Sequence, residues 1–438
     1  MEALVILLEL AFLFGTLFFA VQWLRDPSGP FEPLIIMLAT LAAGFPAARR
    51  VFRLVRARTE LRWQRRGREL FRGLGEPGYL QWQQAALEVL YEGLDIVSVY
   101  GRRYPAALIR ASPSWTYPFG TLCKLAELRP TPLVLSADQR TYRRLLGTSV
   151  KWPQMKGFAL KRLGLDEEGR AHMIEATTTR FIHNLATAHI LEWELHKVYL
   201  NRPRGVPPHG GADLLRALPR RAAYHGERSG RLAILEPTNA FPLIGLQAMV
   251  VFRDRSAQSK SQWRIVTARR SDDVVVKPGF FQFHPAGGFE VYGAESDEDD
   301  DLVKDAFDVR RALFREYAEE LFDAKHLQAR PDSRDPTSVL LDPDVQYLVG
   351  LIESNKATVD CLGVVVDLQV LRHELSFLIV ISDDGFRKRP VLGSWEARQI
   401  RTVEPDELQS LLANGQLHAG SAGLLQLAIE SERWREIV

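Results

Sequence analysis

Two apolar runs at the amino terminus constrain this chain most. Residues 3–24 read ALVILLELAFLFGTLFFAVQWL, with Glu9 the one charge among them. About 20 apolar residues at 1.5 Å rise match a hydrocarbon core of roughly 30 Å. Arg25–Pro33, RDPSGPFEP, reads as a turn of Pro, Gly and Ser. The second run, 34–48, spans only ~22 Å as a helix, or ~27 Å counted from Phe31, so it calls on snorkelling by Arg49 and Arg50 or on a thinned bilayer. Residues 1–50 are therefore expected to form a hairpin of two transmembrane helices. A cleaved signal peptide fits the sequence less well, because Glu2 stands where a basic stretch belongs and a second run follows.

Charge sets the expected orientation. Between Arg49 and Arg72 there are ten Arg and two Glu, whereas the whole chain carries a net charge of +2. The positive-inside rule places that stretch, residues 51–78, in the cytoplasm as a basic juxtamembrane helix and linker, with both chain termini on the same side. The remainder is mildly acidic, which excludes a body built to coat DNA or RNA duplexes. Arg outnumbers Lys about four to one in a chain rich in Ala and Leu, a bacterial signature, so the expected location is the inner membrane of a bacterium, in contact with the lipid bilayer. Cys123 and Cys361, the only cysteines, give neither a disulfide framework nor metal-ligand spacing.

Beyond the basic stretch the texture divides at about residue 231. Residues 79–231 read as a mixed α/β region, with strand-like runs at Ile96–Val99 and Leu133–Leu135 and a helix over about Asp166–Leu200. His172, His183, His189 and His196 fall in that helix without a carboxylate partner at metal-binding spacing, and are read as packing residues. Residues 232–438 read as an α+β domain. Strands are expected at Leu243–Phe252, Trp263–Ala268, Asp273–Val276 and Gln282–Phe283, and then a helix at 305–322. Further strands follow at Gln346–Ile352, Val359–Leu371 and Leu375–Ile381, with helices at Glu404–Leu412 and Ala422–Arg435.

The chemistry concentrates between Pro285 and Asp323. Glu316, Glu319 and Glu320 are three and four residues apart and share one helix face, a site for a hard divalent cation such as Mg²⁺. Arg315 can pair with Glu319. Gly287 and Gly288, following Pro285, allow the backbone to approach a phosphate closely. Arg269 and Arg270, on the preceding strand, can contact phosphate oxygens or face solvent.

These residues resemble the Nudix hydrolase family, whose box is written G-x5-E-x7-R-E-U-x-E-E-x-G-U. Arg315, Glu316, Tyr317, Glu319 and Glu320 match its REUxEE core, and Gly287–Glu295 resembles the glycine loop that precedes it. The box glutamate would be Glu295, two positions late, and nineteen residues rather than seven separate it from Arg315. Phe322 stands where the box has Gly. The resemblance implies a C-terminal Nudix-like domain with Glu316, Glu319 and Glu320 as catalytic residues. It implies Mg²⁺ on those three and Glu295, with Arg269, Arg270, Gly287, Gly288 and Arg315 binding ligand. Together with the hairpin, it is similar to the transmembrane-Nudix effectors of bacterial cyclic-oligonucleotide antiphage systems. That likeness implies a nucleotide or cyclic oligonucleotide ligand, homo-oligomers and disruption of the inner membrane. The alternative is a membrane-tethered, Mg²⁺-dependent hydrolase of nucleoside-diphosphate derivatives.

Overall fold

Every residue from Gly245 to Phe252 is buried, which a strand achieves only when both faces of its sheet are covered. In the computed structural model this segment lies inside a sheet of nine strands. The structure describes residues 14–15, 18–25, 57–120, 122–127, 134–146, 155–202, 210–238, 240–256, 261–271, 279–291, 300–324, 327, 336–389, 391–392, 397–414 and 417–437. Among them the strands are β1 (Ile96–Val99), β2 (Arg102–Arg110), β3 (Cys123–Glu127), β4 (Lys156–Leu165), β5 (Ala171–Arg180), β6 (Gly245–Arg253), β7 (Trp263–Arg270), β8 (Phe281–Phe283), β9 (Ala286–Gly288), β10 (Ala357–Asp367), β11 (Arg372–Ile381) and β12 (Ala397–Val403).

The large sheet runs β1-β2-β10-β11-β6-β7-β12, with β8 on β7 and β9 on β6, and β3-β5-β4 form a smaller one. The central pair, β6 and β11, is parallel, with Leu378 opposite Met249 and Val380 opposite Val251. These four side chains belong to the core cluster shared with the Ala419–Glu430 helix. Their neighbours face the other way, so Phe377 meets Phe119 and Phe252 meets Phe386. The sheet draws β1 and β2 from one side of residue 231 and its other strands from the other. Main-chain bonds tie the two sheets together: Phe158 N–H donates to Phe289 O at 2.9 Å and Ile244 N–H to Phe158 O at 2.8 Å.

The chain divides into the units Met1–Glu69 and Leu70–Val438. The expected pair of transmembrane helices is corrected. No helix among the described residues is long and apolar enough to cross a membrane. Of the first apolar run, residues 3–13 and 16–17 lie outside the described residues, and its described helix is 18–25. The helix over 57–74 has the length but carries six Arg and two Glu. The second run, 34–48, lies outside the described residues. The multi-pass inner-membrane location that rested on those spans is corrected with them, and the fold of the described chain is mixed α/β.

Two element assignments also change. The helix expected over Asp166–Leu200 begins only at Phe181, and Ala171–Arg180 is β5, paired along β4. Gln346–Ile352, expected as a strand, lies inside the helix Pro343–Glu353. Asp273–Val276 lies outside the described residues.

Candidate functional site

The site grows from the turn between β8 and β9. His284 and Pro285, joined by a cis peptide, carry the chain from β7's partner to β6's. Pairing then aligns Gly288, Gly245 and Glu374 in one row across β9, β6 and β11. Over this row lies the helix Val309–Phe322. It starts where the Asp308 side chain accepts the Arg311 N–H, an ordinary N-cap. Val309, Leu313, Phe314, Tyr317 and Leu321 bury its apolar stripe, and Arg315, Glu316 and Glu320 are carried into the protein beside them.

Glu320 is held on two sides. Its Oε2 accepts from His284 Nδ1 at 2.8 Å and from the Ala286 N–H at 2.5 Å. Behind His284 stands a chain of donors: Arg270 Nη1 donates to Gln282 Oε1 at 2.6 Å, and Gln282 Nε2 lies 3.0 Å from His284 Nε2. That order fixes the tautomer, with Nδ1–H donating to the carboxylate and Nε2 accepting from the Gln282 amide. His284 is wholly buried, so each of these partners replaces a water it has lost.

Glu316 lies against Gly287, where a Cβ would have to displace its carboxylate. From the other side, Arg372 Nη2 donates to Gly287 O at 2.8 Å, and its Nε lies 3.7 Å from Glu374 Oε1. Burial raises the Glu374 carboxyl above its ordinary range, with Arg372 and Arg270 pulling the other way. Arg315 turns away from this loop: Nη1 donates to Leu327 O at 2.8 Å and stands 3.7 Å from Glu319 Oε1.

The structure thus brings together Glu316, Glu320, Gly287 and Gly288, and reaches Arg270 through Gln282. Arg269 lies at the exposed edge, its Nε donating to Gly279 O at 3.1 Å. Glu295 lies outside the described residues. The three carboxylates of one helix face have separate surroundings: Glu316 the Gly287 backbone, Glu319 the Arg315 guanidinium, Glu320 the His284 imidazole and the Ala286 amide. Among the described residues no group of three or more His, Cys, Asp or Glu is placed to hold a metal ion. Among the described residues, the three carboxylates are not gathered into a Mg²⁺ set.

Sequence reasoning missed His284, Gln282, Arg372 and Glu374. A histidine directly before Pro-Ala-Gly-Gly was the one local signal available; Arg372 is 85 residues from the carbonyl it holds. The turn after the helix departs from the box pattern, as Phe322 in place of its Gly implies. Phe322 stays helical and packs on Tyr317 at 5.3 Å, and Asp323 takes the left-handed position at φ 54°. Asp tolerates that region better than a bulky aromatic does.

No protein-family model matches this sequence, and no curated protein is similar to it. The crystal structure of a Nudix hydrolase from Alicyclobacillus acidocaldarius is similar at 16% identity over 43% of this chain and 92% of that one, with a TM-score of 0.26. A likeness this slight carries no argument about fold or activity.

Proposed function

We propose that residues 232–438 form a Nudix-like domain that binds a nucleotide or cyclic oligonucleotide without hydrolysing it. In this reading the chain acts as the nucleotide-sensing component of an antiphage system and works as a homo-oligomer. The observation that carries the binding-without-hydrolysis part is the clasp on Glu320. A carboxylate already bonded to an imidazole and a backbone amide, 4% exposed, is committed to the fold rather than offered to a metal. The Arg-Glu-Tyr-Ala-Glu-Glu sequence and the paired glycines support a Nudix ancestry. Arg270 and Arg372 beside the loop supply cationic character suited to phosphates.

The test is titration calorimetry of the full chain with a cyclic dinucleotide and a nucleoside-diphosphate sugar, beside chromatography of both after incubation with Mg²⁺. Binding with both compounds recovered intact is the expected result. Turnover of the diphosphate sugar that Glu316→Gln or Glu320→Gln abolishes would overturn the reading in favour of a hydrolase.

A further inference from the structure

Away from the carboxylate loop, residues between Asp138 and Ala240 line an open cleft of about 880 Å³. Small-molecule sites fall in this range. None of the side chains of the Glu320 site lines it. One wall is apolar, with Ala186, Ile190, Val198 and Ala223, and the rim carries Lys197, Arg202 and Arg220 against Asp138 and Glu194.

The two acids are not equivalent. Glu194 is spoken for, since it accepts the backbone N–H groups of Arg220 at 2.8 Å and Arg221 at 3.1 Å. Asp138 is more than half exposed and pairs with two cations at distances longer than a hydrogen bond: Lys197 Nζ is 3.6 Å away and Arg220 Nη2 3.8 Å. Each cation has a second neighbour: Arg220 Nη2 donates to Ser136 Oγ at 2.8 Å, and Lys197 Nζ lies 4.0 Å from the centre of the Trp193 ring.

The wall itself is irregular in a way that has to be maintained. Leu185–His189 is a turn of π-helix interrupting the helical run 181–201, a feature that concentrates at functional sites. Cleft-lining side chains hold it: Gln139 Nε2 donates to Ala186 O at 2.9 Å, and Thr187 Oγ1 donates to His183 O at 2.8 Å while accepting the Phe241 N–H at 2.9 Å.

We propose that this cleft binds a small organic phosphate, a phosphate monoester on an apolar body. The phosphate takes the place that Asp138 half-fills between Lys197 and Arg220, and the body lies on the Ala186–Ile190–Val198 wall. A phosphate monoester brings three acceptor oxygens and close to two negative charges to the two cations, against the single charge of the carboxylate. The ligand evicts Asp138, which turns outward into solvent.

The experiment is calorimetric titration of the full chain with phenyl phosphate as the probe and phenol as its uncharged counterpart. Phenyl phosphate binds and phenol does not. Lys197→Gln and Arg220→Gln each weaken binding about tenfold, the loss of one charge-assisted contact. Asp138→Asn tightens it about threefold or more, because the competing carboxylate is gone. A gain of affinity cannot come from damaged folding, so this variant decides the matter. Equal binding of phenol, affinity unchanged in the two cation variants, or weaker binding in Asp138→Asn would each overturn the proposal.

Discussion

At Glu320 one oxygen serves two donors, and the two are coupled through it. Removing the imidazole leaves a buried carboxylate with the Ala286 N–H alone; removing the carboxylate leaves the His284 Nδ1–H and the Ala286 N–H without their acceptor. An unsatisfied buried polar group costs about 1–3 kcal/mol, so His284→Ala and Glu320→Met should each destabilise by that order. Because both changes break the same bond, the double variant should lose less than their sum, by about 0.5 kcal/mol or more. Urea denaturation of the four proteins measures it, and strict additivity would show that the bond contributes nothing. The spacing of Glu316, Glu319 and Glu320 was legible in the sequence, since periodicity alone puts them on one face. Their partners were not. His284 lies 36 residues before Glu320, and only β8 and β9, pairing with β7 and β6, bring it there.

Elements were legible where local chemistry and tertiary context agree. Ile96–Val99 is a strand as its β-branched run implies, and the helix carrying the glutamates ends at Phe322 as expected. They were misread where the apolar residues fit both periods. Val345, Leu348 and Leu351 are spaced by three and are buried on one helix face, yet the run VQYLVGLI is also dense enough for a strand. The deciding residue precedes the run: Asp342 accepts the N–H groups of Asp344 and Val345, with Pro343 at the first helical position. Asp342→Ala should therefore destabilise by about 1–2 kcal/mol, and Asp342→Asn by much less, in thermal or urea unfolding. Equal losses from both would place the contribution of Asp342 elsewhere than the cap. The opposite error, a helix over Asp166–Arg180, came from counting apolar spacing and passing over Thr177, Thr178 and Thr179. These three stiff β-branched residues pack, buried, in β5.

On the scale of the whole Leu70–Val438 unit, what the sequence conceals is which distant segments meet. β2 pairs with β10 from Arg110 opposite Gly363 to Ala106 opposite Asp367, a register that no local pattern announces. Two buried side chains reinforce that meeting where β10 turns into β11. Arg221, wholly buried, donates to the carbonyls of Leu368 and Gln369 at 2.9 and 2.6 Å and to the Tyr91 hydroxyl at 2.8 Å. His373, on β11, lies with Nε2 2.7 Å from Ile234 O, so its N–H ties the sheet to the Gly230–Leu235 helix. Burial pushes the His373 imidazole down to about 4. The folded chain therefore refuses a proton that the unfolded chain, with an ordinary imidazole near 6.5, accepts. The contribution is complete above pH 6.5 and is lost as pH falls from there toward 4, to a total of about 3 kcal/mol. Gln at this position retains an N–H for Ile234 O without titrating. Urea unfolding of the parent chain should show stability declining between pH 6.5 and 4, with about one more proton taken up on unfolding than in His373→Gln. If the two proteins lose stability in parallel across that window, His373 is not the group that couples this junction to pH.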